Sequence, residues 1–210
     1  MSTKYRTALQ IVLLSDTHEL HREVDVPDGD VLVHSGDFTL FNRSLRAIQD
    51  FDAWLGELPH LHKVAIYGNH ECPQTTNPSS KWPSLSNATV LYNKGLEICG
   101  LRFWGCAPNL SDEANRKRQY AQIPENTDIL ITHFAPYGIL DSTPDSGFHS
   151  GCRDLFDRVI HVQPKLHVFG HVHGAHGIFQ TDNTTFVNAA LLGPNGDIDQ
   201  SPIALRMRRK

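Results

Sequence analysis

At 210 residues, 40% hydrophobic and 20% charged, the chain has the size and composition of one globular domain, taken as residues 1–210. A formal net charge of -4 gives no global pull toward nucleic acid or acidic membranes, and the one basic cluster, Arg206, Arg208, Arg209 and Lys210, reads as a solvated tail. Cys72, Cys99, Cys106 and Cys152 show neither C-x-x-C spacing nor the density of a disulfide scaffold, which points to a reducing, cytoplasmic setting.

The apolar run at 9–14 is too short to span a bilayer and leads into Asp16-x-His18 without a small-residue cleavage site, so it predicts a buried strand. A second short branched run, 31–34, predicts another strand. Residues 44–55 follow as an amphipathic helix with Leu45, Ile48, Phe51 and Leu55 on one face. After a strand at 63–67, the Pro/Ser/Asn/Thr-rich stretch 72–87 is a long loop, and so is 136–150; each is either a binding loop or plain surface. Between them lie a strand at 101–105, a helix at 111–121 whose acidic start and basic end suit the helix dipole, and a strand at 129–132. A helix at 151–160, carrying Cys152, Leu155, Phe156, Val159 and Ile160, precedes a strand at 166–169. The runs 184–188 and 203–207 are expected to join 101–105 in a second sheet.

Polar residues that close the strands carry the chemistry: Asp16-x-His18, Gly36-Asp37, Gly68-Asn69-His70-Glu71, His133 and Gly170-His171-x-His173. Singly, the first two read as turns, and only the last two glycine motifs are unusual. All five fall just past strand carboxyl ends, where functional loops of layered α/β sheets collect. Together they supply two coordination shells. Carboxylate, imidazole and one carboxamide oxygen suit manganese, iron or zinc, whereas an all-oxygen set would suit magnesium or calcium.

The ordered set D-x-H, G-D, G-N-H-[DE], H and G-H-x-H resembles that of the calcineurin-like metallophosphoesterase superfamily, over residues from about 11 to 190. The resemblance implies a four-layer αββα sandwich of two mixed sheets flanked by helices. It implies two divalent metal ions, manganese first, with iron, zinc or magnesium as substitutes. Asp16, His18, Asp37 and His173 would hold one; Asp37, Asn69, His133 and His171 would hold the other, with Asp37 bridging. His70 would approach the substrate phosphate and either protonate the leaving oxygen or stabilise charge. The catalytic set so implied is His70, Asp37 and Asn69. The reaction implied is in-line attack on a phosphoester by a hydroxide bridging the metals.

Val33-His34-Ser35-Gly36-Asp37-Phe38-Thr39, Trp54-Leu55-Gly56-Glu57-Leu58-Pro59 and Pro164-Lys165-Leu166-His167-Val168-Phe169-Gly170 resemble the metallophosphoesterase-domain-containing group first noted in animal brain, which are metallophosphodiesterases. The stretch 107–120 is shorter than is usual there. His171, lost in some animal members, is present. Phe38-Thr39-Leu40 after Asp37, where protein phosphatases carry Val-Asp-Arg-Gly, turns the reading away from them. The expected activity is hydrolysis of small or cyclic phosphodiesters such as nucleotides, with no stable nucleic acid complex and no membrane. The rivals are a phosphomonoesterase and a scaffold with a vestigial metal site.

The remaining histidines have plainer readings. His34 is expected as a satisfied core imidazole, while His60, His62, His161 and His167 are expected at the surface or at strand ends. His21 lies one helical turn beyond His18 and is a candidate for the site's wall. His149 and Ser150-Gly151 open a helix whose N-terminus either presents backbone N–H groups to an anion or, the plainer expectation, is capped by Ser150. His176 is either a substrate contact or solvated, and Asn188 either caps its strand or approaches the site. Trp54, Trp82 and Trp104 are expected as core or loop anchors, since no basic groove accompanies them.

Overall fold

The computed structural model describes residues 8–40, 44–72, 84–108, 112–142, 147–193 and 195–208. In chain order the regular elements are β1 (Ala8–Leu14), β2 (Val31–His34), α1 (Leu45–Glu57), β3 (His62–Ala65), β4 (Thr89–Val90), β5 (Lys94–Ile98) and β6 (Leu101–Gly105). Then come α2 (Glu113–Tyr120), β7 (Ile129–Ile131), α3 (Arg153–Val162), β8 (Leu166–Phe169), β9 (Gly177–Gln180), β10 (Thr185–Asn188) and β11 (Ile203–Arg208). Two mixed sheets result, in the orders β11-β1-β2-β3-β4 and β5-β6-β7-β8-β10-β9. The inner strands run parallel, and antiparallel partners close the edges at β11, β5 and β9.

The period-2 alternation of strand side chains explains the layering. Leu9, Ile11 and Leu13 of β1 point inward with Val31, Val33 and Val64, where they meet Phe103, Ile129, Ile131, Leu166 and Val168 of the second sheet. The intervening residues Val12, Leu14 and Leu32 point the other way, onto Ile48, Phe51, Trp54 and Leu55 of α1. On the opposite side, Leu130, Phe169 and Phe186 pack against Leu155, Val159 and Val162 of α3 and Tyr120 of α2. The order is therefore helix, sheet, sheet, helix. Both faces of the central strands are buried, which is why their sequences read as continuous apolar runs rather than as alternation.

Several expectations change. The run at 203–207 does not join the second sheet; β11 pairs with β1, Leu9 opposite Met207 and Ile11 opposite Leu205. The second sheet instead takes β7 and β8, so the ligand-bearing strands are divided between sheets. Leu45 is 69% exposed in the first turn of α1, and Ile160 is 48% exposed near the end of α3. Both follow the helical period but lie where the helix overhangs its sheet. His60 and His167 are buried, not surface residues. His167 points from β8 into the outer core and meets Thr132 Oγ1 at 2.9 Å, and burial pushes its pKa down to about 3. Cys152, not Ser150, occupies the N-cap of α3, while Ser150 Oγ donates to Asp141 O at 2.9 Å. Asp112 caps α2 by accepting from Asn115 N at 2.9 Å. Trp54 is a core residue and Trp104 packs on the outer core, whereas Trp82 lies outside the described residues, as do 73–83 of the first long loop and 143–146 of the second.

Candidate metal centre

Because the parallel strands of both sheets point their carboxyl ends the same way, the loops that follow them meet along one edge. From the first sheet come Asp16 and His18 after β1, Asp37 after β2, and Asn69, His70 and Glu71 after β3. The second sheet supplies His133 after β7, and His171 and His173 after β8. The loops are tied to one another: Asp16 N donates to Gly36 O (3.0 Å), His18 N to Asp37 O (3.1 Å) and Gly170 N to His133 O (3.0 Å).

Three groups converge closely enough to hold an ion: Asp16, His18 and His173; His18, Asp37 and His70; and Asp37, His133 and His171. Asp37 stands in two of them. Its Oδ2 lies 3.2 Å from His133 Nε2, 3.7 Å from His70 Nε2 and 3.9 Å from His18 Nε2. His173 Nε2 is 3.5 Å from Asp16 Oδ1 and 3.3 Å from His18 Nε2. Asn69 Oδ1 is 2.8 Å from His133 Nε2. All seven residues expected to bind metal are thus brought to one place, and His70 stands within reach of the shared carboxylate.

The local backbone is strained to achieve this. Asp16, His18, Asp37 and His171 have φ of 53°, 40°, 55° and 69°, a region that costs residues other than glycine about 1 kcal/mol or more each. The neighbouring glycines make room: a Cβ at Gly68 would lie 2.0 Å from Asp37 Oδ1, and one at Gly170 would lie 2.0 Å from Asp16 Oδ2. This close approach is the physical reason for the glycines in Gly-Asn-His and Gly-His-x-His.

The donor set fits divalent metal by its own geometry. Asp16 Oδ1 is buried and accepts no hydrogen bond, while Asp16 Oδ2 is held by His171 N at 2.9 Å. His18 Nδ1 and His133 Nδ1 face the backbone oxygens of Thr39 (3.2 Å) and Ser35 (3.0 Å). Donation to those carbonyls aims Nε2 at the centre, the usual outer support of a metal-binding imidazole.

Charge is arranged to match. Burial opposes ionisation of Asp16, yet the His173 imidazole, 3.5 Å away, and the charge of His133 hold its pKa below the ordinary range. Burial likewise opposes a charge on His133, but Asp37 outweighs it and lifts that pKa to about 9. Burial, reinforced by His133, pushes His171 down to about 4. Burial also lowers His70, against the pull of Asp37.

Glu71 is the site residue to which the sequence reading gave no task. Its buried carboxylate accepts from Asp37 N (2.9 Å), Thr39 N (2.8 Å), Thr39 Oγ1 (2.8 Å) and Gly68 N (2.8 Å). Burial and the charge of Asp37 push its pKa up to about 7, while four donors aimed at two oxygens favour the carboxylate. It fastens the Gly-Asp loop to the Gly-Asn-His loop. The only signal in the sequence was an acidic residue closing that second motif.

Other candidates lie outside the centre. His21 is buried against Phe51 and Trp54, with Nε2 3.0 Å from Asp50 Oδ2. His34 is a core imidazole, 3.1 Å from Thr17 Oγ1, and burial pushes it down to about 3. His176 Nδ1 faces Ala190 O at 2.8 Å. Asn188 braces the edge from beneath, its Nδ2 donating to Leu140 O (3.1 Å) and Val172 O (3.0 Å).

Two sheets between helix layers, with an Asp/His cluster able to bind divalent metal at their common edge, define a metal-dependent phosphoesterase architecture. The chain belongs to the calcineurin-like phosphoesterase family, whose model matches residues 9–175. It is 36% identical over 224 residues to a UPF0046 protein of Caenorhabditis elegans, spanning 96% of this chain and 76% of that one. To the human metallophosphoesterase domain-containing protein 1 it is 32% identical over 229 residues, spanning 93% of this chain and 70% of that protein. The crystal structure of the TT1561 protein of Thermus thermophilus shares the fold, with a TM-score of 0.59 at 12% identity over 97% of this chain and 100% of that one. Among the described residues no helix is long and apolar enough to cross a membrane.

Proposed function

We propose that the protein is a phosphodiesterase that binds two divalent metal ions, manganese first among them, and hydrolyses small or cyclic phosphodiesters such as cyclic nucleotides. The observation that carries the proposal is the position of Asp37 Oδ2, within 3.2–3.9 Å of imidazole nitrogens on both sides of the edge. When bound, such ions would supply Lewis-acid charge to the phosphoryl oxygens and acidify water.

The chain's own residues divide the remaining work. Asp16, His18 and His173 would hold one ion; Asn69, His133 and His171 the other; Asp37 would be common to both. His70 is tied to the centre by its backbone N–H, which donates to Asp37 Oδ1 at 2.9 Å, and its ring Nε2 lies 3.7 Å from Asp37 Oδ2. With its pKa lowered, the ring is neutral near pH 7, and its N–H serves best as a hydrogen-bond donor to charge developing on the departing oxygen. The proposal extends to a reducing, cytoplasmic setting, supported by four cysteines that are all free.

The test is elemental analysis of the purified protein, followed by rates on bis(p-nitrophenyl) phosphate, p-nitrophenyl phosphate and 2′,3′- and 3′,5′-cyclic nucleotides with manganese supplied. A diester preference is expected; a monoester preference above about ten-fold, some 1.4 kcal/mol, overturns the assignment.

A further inference from the structure

Beside the metal edge lies a groove of about 730 Å³ between α2 and α3, walled by Phe134, Tyr137, His149 and Arg153 on one side and by Arg116 and Lys117 on the other. Its position follows from topology. α2 and α3 are the crossovers that join β6 to β7 and β7 to β8, two parallel steps, so both begin at the strand-end edge that carries His133 and His171. Phe134, next to His133, is the shared wall: its ring meets that of His171 edge-on, with centroids 4.7 Å apart.

Among the described residues, the cations of the groove other than Arg153 have acidic partners. Arg116 is paired with Asp154 at 3.1 Å, Lys117 with Glu113 and more distantly with Asp154, and His149 Nδ1 with Asp141 Oδ1 at 2.7 Å. Asp157, one turn along α3 from Arg153, acts on Lys117. The guanidinium of Arg153 forms no ion pair among the described residues. It lies over the Tyr137 ring, 3.6 Å from the centroid, a cation–π contact that restrains it and leaves its N–H edge without an acidic partner among the described residues. His149, 5.2 Å from Tyr137 between ring centroids, flanks the same platform.

We propose that this groove is a subsite for a second anionic group on the substrate, a carboxylate or phosphate carried beyond the scissile phosphate, with Arg153 as its contact and Tyr137 and His149 as its platform. The inference rests on the phosphoester reading of the neighbouring centre. A planar, pre-oriented guanidinium matches an oxyanion in two-pronged fashion, and immobilising it in advance reduces the entropy lost on binding. The pocket is within the size range of small-molecule sites.

The test uses three p-nitrophenyl diesters that differ only in the second ester arm: propyl, 2-carboxyethyl and 2-phosphonoethyl. Wild-type protein loaded with manganese is expected to favour the two anionic arms over propyl in kcat/KM. Arg153→Gln is expected to reduce that preference about ten-fold, through KM, while Lys94→Ala on the exposed edge strand β5, outside the groove, preserves it. The carboxylate and phosphonate arms report separately which oxyanion is preferred. Absence of a wild-type preference, an unchanged preference in Arg153→Gln or an equal loss in Lys94→Ala overturns the subsite. If the wild type hydrolyses none of the three, the phosphoester reading fails; calorimetric titration with the matching non-hydrolysable phosphonates then decides the subsite, by whether Arg153→Gln weakens the anionic ones alone.

Discussion

The two sides of the metal edge are built differently. On the first-sheet side, Asp16, His18 and Asp37 all sit in left-handed backbone, and the loop around Asp37 is fastened by three hydrogen bonds to Glu71. On the second-sheet side only His171 is so strained, and His173 stands on a short 3-10 turn with its side chain 29% exposed. Strain persists only where surrounding contacts over-determine it, so the first side is a preformed cradle and the second a set of imidazoles brought to it. The carboxylates hold the charge, and the imidazoles of His133, His171 and His173 face them from across the edge.

The sharpest way to break this contrast is Asp37→Asn, which removes the charge both sides share. Metal content measured by elemental analysis should fall to near zero, with activity lost by more than about 10²-fold, beyond what outer-shell substitutions cost. His70→Ala should keep its metal and lose about 10²- to 10⁴-fold in kcat, the range of a group acting on the leaving oxygen. Full metal loss in that variant would instead place His70 among the ligands, a role its cluster with His18 and Asp37 permits geometrically.

Glu71→Gln tests the cradle itself. A carboxamide turns one buried acceptor into a donor against the N–H groups of Asp37, Thr39 or Gly68, costing about 1–3 kcal/mol. Thermal unfolding of the metal-free protein should shift downward, and metal affinity should fall about 10- to 100-fold. An unchanged melting temperature would mean that Glu71 does not hold the loops.

The least local effect expected is a pH dependence from the second-sheet side, smallest when read over a single pH unit. In metal-free protein His133 has its pKa raised to about 9, so near neutrality it is an imidazolium paired with Asp37, with its Nε2 edge toward Asn69 Oδ1. Its raised pKa adds stability that is fully present below its unfolded value of 6.5 and lost as pH rises through about 9. Metal must displace that proton. Between those limits affinity should rise about tenfold per pH unit from this group, with one proton released, readable by calorimetry in buffers of different ionisation enthalpy. A flat profile would show that Asp37 does not hold His133 protonated.

Much of this was legible in the chain because the signals are local. Five branched runs, each closed by a glycine or polar turn, located β1, β2, β3, β7 and β8 to within two residues, since apolar patterning and turn chemistry act over neighbouring positions. The Phe51 face of α1 was equally plain. Three short strands, β4, β5 and β9, were not anticipated: Thr89–Val90 has two residues, while Lys94–Ile98 and Gly177–Gln180 are edges with mostly exposed side chains and weak apolar patterning. His60 and His167 were misplaced because burial of an imidazole is decided by what packs over it; around His167, Thr132 Oγ1 and the Phe186 ring come from neighbouring strands and the Phe169 ring from the same face of β8.

By itself, the sequence determined which elements form and which side chains close each strand, because hydrophobic period, glycine freedom and turn propensity are properties of short segments. Tertiary structure alone decided that β11 crosses to the first sheet, that Asp37 Oδ2 meets His133 at 3.2 Å across the edge, that Glu71 fastens two loops and that Arg153 lies over Tyr137. Each of these depends on partners 16 or more residues apart whose approach is set by sheet pairing and layer packing, long-range contacts that no local pattern encodes.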